Sequence, residues 1–452
     1  MFFFIHTLGC KINQYESQAI REAWIARGWV EVSEATGADM VLAHTCAVTS
    51  GAVADSRGAV RRVGRVAPAA RILVTGCAAQ VDPNAFAALP GVEAVVMQRH
   101  KPGLLTWSHY DGPCPSSVWP QPGGPDSPTA RPSLSRSAAS NDWPGFAISG
   151  FDRARPILKI QDGCSHGCTY CIVPRARGAA RSRPYPDILA EARRLLEAGH
   201  RELILSGVNL GQFVLSTGGG DFWDLLRLLD ADLSPRWGGR ARLRLSSLDP
   251  GLLGPKALAT LTTGSGLGMV CPHLHLSMQS ADPGVLAAMG RGHYHPRGVL
   301  GFLDALRGIW PLFALGADLL TGFPGESELA FRATLDFFRQ AGLSYAHVFP
   351  YSRRPGTVAA RAANQLPREV KKARAARLRQ EATERETAFL EELARLPGLV
   401  MAVERERPGV GVSEYYMECR LEGASPVARK GLLPVRPLSV SGGAILAEAA
   451  HS

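Results

Sequence analysis

The sequence predicts an α/β chain in three parts: an N-terminal parallel α/β domain, a partial (β/α)6 barrel, and a small C-terminal β-barrel. Three observations predict it. Short apolar runs alternate with amphipathic helical stretches over residues 1–106 and again over 151–366, the pattern of parallel strands joined by helical crossovers. A Pro- and Ser-rich stretch at 107–150 separates the two blocks. After a long polar helical stretch at 367–397, β-prone runs alternate with Gly and Pro turns over 398–452, which reads as a small β-barrel module.

In the first block Phe2–His6, Met40–His44, Ile72–Thr75 and Val92–Met97 read as strands, with helices at Gln14–Arg27 and Ala52–Val66. The separating stretch holds seven prolines and seven serines between Asp111 and Asn141 without periodic apolar residues, so it reads as a linker or surface excursion. Cys114 within it reads as incidental.

In the second block strands are expected at Ile157–Ile160, Leu203–Leu205, Leu243–Leu245, His273–Leu276, Leu315–Leu319 and Tyr345–Phe349. Helices are expected at Pro186–Ala198, Trp223–Leu229, Pro255–Leu261, Pro283–Met289, Pro296–Leu306 and Ser327–Gln340. Six such units make an incomplete relative of the eight-unit barrel, whose active sites lie at the carboxyl ends of its strands. In the tail, Leu399–Glu404, Tyr415–Leu421 and Gly431–Val435 are the β-prone runs.

Of 452 residues, 46% are hydrophobic and 20% charged, the balance of a soluble globular protein. No apolar run reaches membrane-spanning length, and the opening Met1-Phe-Phe-Phe-Ile5 lacks the basic start of a signal peptide. A cytoplasmic location with no membrane partner is expected. Nine cysteines without a secretion signal argue for metal or redox use rather than a disulfide scaffold. The net charge of +10 suits a polyanionic partner without choosing one.

Two constellations carry chemistry. Asp162-Gly-Cys-Ser-His-Gly-Cys-Thr-Tyr-Cys171 follows the first expected barrel strand and offers Cys164, Cys168 and Cys171 at C-x3-C-x2-C spacing. Three thiolates on a [4Fe–4S] cube leave one iron open, and an open metal position is a place for chemistry. A zinc knuckle or three unrelated thiols are the alternatives; zinc usually takes a fourth Cys or His at paired spacing, and His166 lies inside the loop. In the first block Cys10, Cys46 and Cys77 each lie just past a strand's carboxyl end. In open α/β sheets those ends form the binding crevice, so distant loops can converge there. Gly9 and Gly76 allow the backbone to approach a bulky ligand. Small buried core cysteines are the alternative reading.

The cysteine loop is the signature of the radical S-adenosyl-L-methionine (SAM) enzymes. The chain as a whole resembles the radical SAM methylthiotransferases. The matching stretches are His6-Thr-Leu-Gly-Cys-Lys-Ile-Asn-Gln-Tyr-Glu-Ser17, Ile172-Val-Pro-Arg-Ala-Arg-Gly178, Arg181-Ser-Arg-Pro184, His273-Leu-His-Leu-Ser-Met-Gln-Ser280, Gly322-Phe-Pro-Gly-Glu326, and the run from His347 to Thr357. The resemblance implies two [4Fe–4S] clusters, SAM as cofactor and a C-terminal TRAM-like domain that binds RNA. It implies an N-terminal auxiliary cluster on Cys10, Cys46 and Cys77. The implied reaction replaces a C–H hydrogen by S–CH3. The opening motif is closest to the branch that converts N6-threonylcarbamoyladenosine at position 37 of tRNA to its 2-methylthio derivative. Ribosomal protein S12 and isopentenyladenosine in tRNA are the alternative substrates, and a non-catalytic iron–sulfur RNA-binding protein is the alternative class.

The resemblance places SAM near Gly207, Asn209 and Gly211 after the second strand, Ser246 (or Ser247) and Gln279 at further strand ends, and Gly322, Gly325 and Glu326 toward the adenine. Arg175, Arg177, Arg181 and Arg183 lie beside the cluster loop with no acid among them, and they are expected to hold phosphates of an anticodon loop. The stretch from Arg353 to Arg385 carries ten basic against three acidic residues; Arg405, Arg407, Arg429 and Lys430 are further RNA candidates. Cys271 and Cys419 are expected to be packing thiols. A flavodoxin- or ferredoxin-class electron donor and a sulfur donor complete the implied partners.

Overall fold

The computed structural model describes residues 1–107, 143–216, 218–262, 268–404, 407–423 and 431–450. The linker between 108 and 142, with Cys114, therefore lies outside the described residues, as do Arg405, Arg429 and Lys430.

The N-terminal domain runs β1 (Phe2–Thr7), α1 (Lys11–Ile25), β2 (Val30–Glu31), β3 (Met40–Thr45), α2 (Ser50–Val66), β4 (Arg71–Gly76), α3 (Cys77–Val81), α4 (Pro83–Ala87) and β5 (Val92–Val96). Its sheet is parallel throughout, in the order β2-β1-β3-β4-β5. All six residues of β3 are buried, as a strand covered on both faces requires. Strand β2 was not expected: its two residues are exposed, too short a run to carry a period. Helix α1 is unusual in burying Asn13, Glu16, Ser17 and Gln18 along with Tyr15, Ile20 and Trp24. Its polar residues face the rest of the protein instead of water.

The central part runs β6 (Ile157–Lys159), β7 (Gln161–Asp162), α5 (Val173–Arg177), β8 (Arg181–Ser182), α6 (Tyr185–Glu197), β9 (Glu202–Ser206), α7 (Phe222–Trp237), β10 (Arg242–Leu245), α8 (Pro255–Thr262), β11 (His273–Gln279), α9 (Pro283–Ala288), α10 (Pro296–Arg307), β12 (Ala314–Thr321), α11 (Glu328–Gln340) and β13 (Tyr345–Pro350). The six long strands form two parallel sheets, β10-β9-β6 and β11-β12-β13. Isolated parallel bridges, Leu243 to Val270 and Leu248 to Leu276, join the two into the partial barrel. Helix α7 outruns the expected Trp223–Leu229. An Asp221–Asp224 capping box starts it, and buried Leu233 and Trp237 continue its apolar face.

The end of the stretch read as linker is not linker-like. Phe146 and Ile148 are buried in the core shared by the first two domains. Tyr15 Oη donates to Phe146 O at 2.9 Å, and the Ile148 N–H donates to Glu191 at 2.8 Å. Trp107 also belongs to this core, 5.5 Å from Trp29 between ring centres.

Helix α12 (Arg368–Leu393) then leads to a closed barrel of β14 (Leu399–Val403), β15 (Val410–Ser413), β16 (Glu418–Leu421), β17 (Leu432–Ser441) and β18 (Ala444–Ala449). Buried Glu202 fixes this barrel to the central one. Its carboxylate lies 2.6 Å from Arg242 and 2.5 Å from Arg244. Those guanidiniums donate onward to Val400 O at 2.7 Å, Val412 O at 3.0 Å and Ser413 O at 2.8 Å. No described helix is long and apolar enough to cross a membrane.

Candidate functional site

The first three-cysteine group forms because three parallel strands end side by side. Cys10 caps the start of α1 after β1, Cys46 follows β3, and Cys77 opens α3 directly after β4. The two glycines are needed for that approach. Gly9 has φ +99°, and a Cβ there would sit 2.7 Å from Cys46 Cβ. Gly76 has φ +100° and ψ −172°, a region essentially confined to glycine, and its Cβ would lie 2.6 Å from Thr45 N. Asn13 ties the first two loops together, its amide donating to Leu8 O at 2.8 Å and Thr45 O at 3.1 Å. Burial pushes the Cys77 thiol up to about 11; a bound Lewis acid such as iron would favour its thiolate.

The second group lies on the loop from Asp162 to Val173, framed by the short β7–β8 pair. Gly163 (φ +69°) allows the loop to turn under the Ala179 carbonyl, which a Cβ would strike. The far side of the loop rests on the end of α9: the Thr169 N–H donates to Met289 O at 2.9 Å, and a Cβ on Gly290 would meet Gly167 O at 2.9 Å. Each sulfur faces a donor. The His166 N–H reaches Cys164 Sγ and the Val173 N–H reaches Cys171 Sγ, both at 3.4 Å, while Arg291 Nη1 is 3.7 Å from Cys168 Sγ. Such N–H contacts stabilise thiolate over thiol and tune iron–sulfur clusters. Three thiols per site, each approached through glycine turns, with N–H donors at the three barrel sulfurs and Gln98 Nε2 3.8 Å from Cys77 Sγ, fit a cubane cluster held by three cysteines.

Arg291 was missed in the sequence. It is buried, and besides Cys168 it donates to Asp249 at 2.9 Å and Ser277 O at 2.7 Å. Its only trace in the sequence is a basic residue between glycines in Met289-Gly-Arg-Gly-His293, which has no periodic signature.

The expected SAM residues divide into two sets. Asn209 amide nitrogen faces Cys164 Sγ at 4.0 Å and His166 Nδ1 at 3.4 Å. The Gly211 N–H donates to Asn209 Oδ1, and a Cβ on Gly207 would lie 2.9 Å from Gln161 Cβ. Ser246 is buried with no partner for its hydroxyl among the described residues. Gln279 adopts φ +62° where the β11–β12 register shifts, a costly conformation for a residue other than glycine. These five residues lie at the strand ends that face the cluster loop. Glu326 is a correction. One carboxylate oxygen accepts from the Gly322 N–H at 2.8 Å and the other from Arg374 at 2.7 Å, so it anchors α12. Gly322 (φ +70°) and Gly325 (φ +82°) make room for Lys371 and Asn364, which a Cβ at either would strike.

Two of the four arginines expected on RNA are also corrected. Arg177 and Arg183 are 6% and 4% exposed. Arg183 lies 3.0 Å from Glu191 and 3.1 Å from Tyr15 Oη. Arg177 donates to Glu16 at 3.0 Å, Asp162 at 3.0 Å and Asn13 Oδ1 at 2.6 Å. The acids that claim them come from α1, α6 and the start of the cluster loop, far enough away in sequence that local charge counting missed them. Arg175 donates to Pro355 O at 3.1 Å, and both it and Arg181 keep partial exposure. Arg353 donates to Ala360 O at 3.1 Å. Arg407, in the tail, lies 3.2 Å from Glu418.

Glu16 is the centre of a buried network that joins the two cysteine sites. Lys159 approaches it at 2.6 Å, Lys101 at 2.5 Å and Arg177 at 3.0 Å. Burial alone would raise its carboxyl; Arg177, Lys101 and Lys159 outweigh that and hold it well below the usual carboxylate range. At Asp162 burial again opposes ionisation, and Lys159 with Arg177 brings the carboxyl down to about 2. His44, 3.5 Å from Glu16, is driven toward neutrality by burial and then by Lys101.

Residues 158–338 match the Radical SAM superfamily, and residues 2–98 match the Uncharacterized protein family UPF0004. With the partial barrel and its cysteine loop, this defines a radical SAM enzyme. TsrM from Kitasatospora setae, a radical SAM methyltransferase, shares the fold with TM-score 0.59 at 15% identity, over 79% of this chain and 74% of that one. The threonylcarbamoyladenosine tRNA methylthiotransferase MtaB of Bacillus subtilis is 32% identical, covering 94% of this chain and 91% of the relative. MtaB of Aquifex aeolicus is 30% identical, over 94% and 97%. The tRNA-2-methylthio-N(6)-dimethylallyladenosine synthase of Cereibacter sphaeroides is 33% identical, over 87% and 88%. The chain belongs to the radical SAM methylthiotransferase family and is a tRNA methylthiotransferase, with SAM and two [4Fe–4S] clusters as its cofactors.

Proposed function

We propose that this enzyme converts N6-threonylcarbamoyladenosine at position 37 of tRNA to its 2-methylthio derivative. The observation that carries the substrate is the similarity, at 30–33% identity, to MtaB proteins from five organisms. Cys164, Cys168 and Cys171 hold the cluster that works with SAM, and Cys10, Cys46 and Cys77 hold the auxiliary cluster that carries sulfur. Adenine C2 has neither an acidic hydrogen nor a leaving group. SAM at the barrel cluster supplies radical chemistry, which such a carbon requires.

The protein's own residues bind and orient. Asn209, Ser246 and Gln279 surround the face where SAM sits, and the Ser246 hydroxyl, buried without a partner among the described residues, is available for a hydrogen bond with a ligand. Arg291 presents its buried guanidinium to Cys168 Sγ at 3.7 Å. Glu16, Arg177 and Asn13 hold the two cysteine sites in fixed relation, so a nucleoside between them meets both at once. Arg175 and Arg181 contact RNA phosphates, in the cytoplasm where tRNA is found. The reaction also needs a flavodoxin- or ferredoxin-class electron donor and a sulfur donor.

Nucleoside mass spectrometry of tRNA from cells lacking this protein tests the assignment. The expected result is loss of 2-methylthio-N6-threonylcarbamoyladenosine with its unthiolated precursor retained. Persistence of that nucleoside in cells without a second such enzyme would overturn it. The 33% identity to dimethylallyladenosine synthases favours one second reading, for which the nucleoside lost is 2-methylthio-N6-dimethylallyladenosine.

A further inference from the structure

The loop that follows β13 bridges the two cysteine sites. Ser352 Oγ lies 2.8 Å from Ser50 Oγ at the start of α2, and Arg354 Nη2 donates to the carbonyl of Ala47, the residue after Cys46. At the other end of the loop the Ala359 N–H donates to Thr169 O at 2.8 Å, between Cys168 and Cys171. Thr357 fixes the turn in between, its N–H and hydroxyl donating to Arg354 O at 3.1 Å and 2.8 Å. Arg354 thus extends from the barrel domain to the auxiliary-site loop on a held backbone. None of the roles assigned above uses it.

Its burial sets it apart. Arg354 is 6% exposed, and its Nε makes no hydrogen bond among the described residues. Every other buried arginine among them faces a carboxylate: Arg177 meets Glu16, Arg183 meets Glu191, Arg242 and Arg244 meet Glu202, Arg291 meets Asp249, and Arg374 meets Glu326. Arg354 makes no ion pair among the described residues and has only the neutral Ala47 carbonyl as acceptor. One neutral acceptor does not offset the removal of a guanidinium from water; a buried cation is stable beside an anion. The contact with Ala47 puts Arg354 next to the ligand Cys46. Three thiolates leave a [4Fe–4S] cluster net negative, and an anionic sulfur on its open iron adds to that charge.

We propose that Arg354 is the anion-holding residue of the auxiliary site: a guanidinium supplied by the barrel domain that balances the charge of the cluster on Cys10, Cys46 and Cys77 and donates to the anionic sulfur that cluster carries. This rests on the assignment of a sulfur-carrying cluster to those three cysteines. The auxiliary site is then complete only when the two domains are docked, because its cation comes from the barrel. The same loop touches the barrel cluster's own loop at Thr169, so one short segment places the sulfur-holding group relative to both sites. Arg354 is a positioning residue in this sense. It holds the sulfur through charge and hydrogen bonding and takes no part in bond making.

The test uses the full chain with Cys164, Cys168 and Cys171 replaced by Ala, reconstituted anaerobically so that about four irons remain, all on the auxiliary cluster. Electron paramagnetic resonance of that cluster gives its midpoint potential in a redox titration and its affinity for methanethiolate in a ligand titration. Arg354→Met should move the midpoint to more negative potential and weaken methanethiolate binding about tenfold, the effect of losing one charge-assisted hydrogen bond. Arg354→Lys, which keeps the cation, should restore most of the midpoint and part of the affinity. Ser352→Ala removes the contact with Ser50 but no charge, and should change neither. A wild-type midpoint and affinity in Arg354→Met overturn the proposal. So does a Ser352→Ala variant that shifts both as far as Arg354→Met does, since domain docking and not charge would then be the cause. Should Arg354→Met lose its iron, Arg354→Lys carries the test; loss of iron from Arg354→Lys as well makes Arg354 a structural clasp and overturns the proposal. Absence of the four or so irons from the starting chain overturns the cluster assignment itself.

Discussion

Arg177 of the central barrel lies 3.0 Å from Glu16 of helix α1, with both side chains almost wholly buried. The guanidinium also reaches Asp162, two residues before Cys164, and Asn13, three residues after Cys10. One side chain thus spans the interface between the two cysteine sites.

Glu16→Gln leaves Lys101, Lys159 and Arg177 buried around a neutral amide. Removing one partner of a buried ion network typically costs about 3–5 kcal/mol. Denaturant unfolding of the variant should show a loss of that size. A change under about 0.5 kcal/mol, as expected of an exposed pair, would refute the role assigned to the network.

Gly76→Ala forces a Cβ against the Thr45 backbone in a glycine-only conformation, at a cost of about 1–3 kcal/mol. The strain falls where Cys46 and Cys77 are aimed. Iron per chain should drop from about eight toward about four while SAM cleavage persists. Replacing Cys164, Cys168 and Cys171 together should remove the other four or so and abolish 5′-deoxyadenosine formation. Iron content unchanged by the triple replacement would contradict the cluster assignment.

Arg291→Met removes a cation and an N–H donor from Cys168. Less positive surroundings make a cluster harder to reduce. The midpoint of the barrel cluster, followed by electron paramagnetic resonance during a redox titration, should move to more negative potential, and less so in Arg291→Lys. An unmoved midpoint would show that the contact does no tuning.

Glu202 links the C-terminal barrel to acid sensitivity. Its burial opposes ionisation, but Arg244 and Arg242 bring the carboxyl from its ordinary value near 4.5 down to about 2. A depressed folded value means that the stabilisation is complete above the unfolded value and is lost as pH falls from about 4.5 through about 2. The difference corresponds to about 3 kcal/mol at neutral pH. Glu202→Gln should therefore be less stable than the wild type at pH 7, and the gap should close by about pH 2. A gap independent of pH would mean that packing, not charge, joins the barrels.

The strands and helices of the two α/β domains were largely legible, because parallel strands buried on both faces and amphipathic helices carry strong periods. β2 and the full extent of the tail barrel were not: two exposed residues hold no period, and β15 and β18 are rich in Gly and Ala. The six cysteines stood out because their spacing and their places after strands are local facts. Gln279 was singled out at a strand end, but its left-handed backbone was invisible until β11 was seen to shift register.

The amino-acid sequence by itself determined the order of elements, the Cys164–Cys171 loop, the places of Cys10, Cys46 and Cys77 just past their strands, and the glycines beside them, since each follows from neighbours within a few residues. Only the tertiary structure decided what the arginines do. Four of them beside a cluster loop look alike along the chain. Arg177 and Arg183 are withdrawn from any RNA by Glu16 and Glu191, which reach them from 161 and eight residues away in sequence. The physical reason is that a charge is assigned its partner by burial. In the interior an unpaired ion is too costly to persist, so a carboxylate brought there by another element takes the nearest cations, and only those left at the surface remain for a ligand.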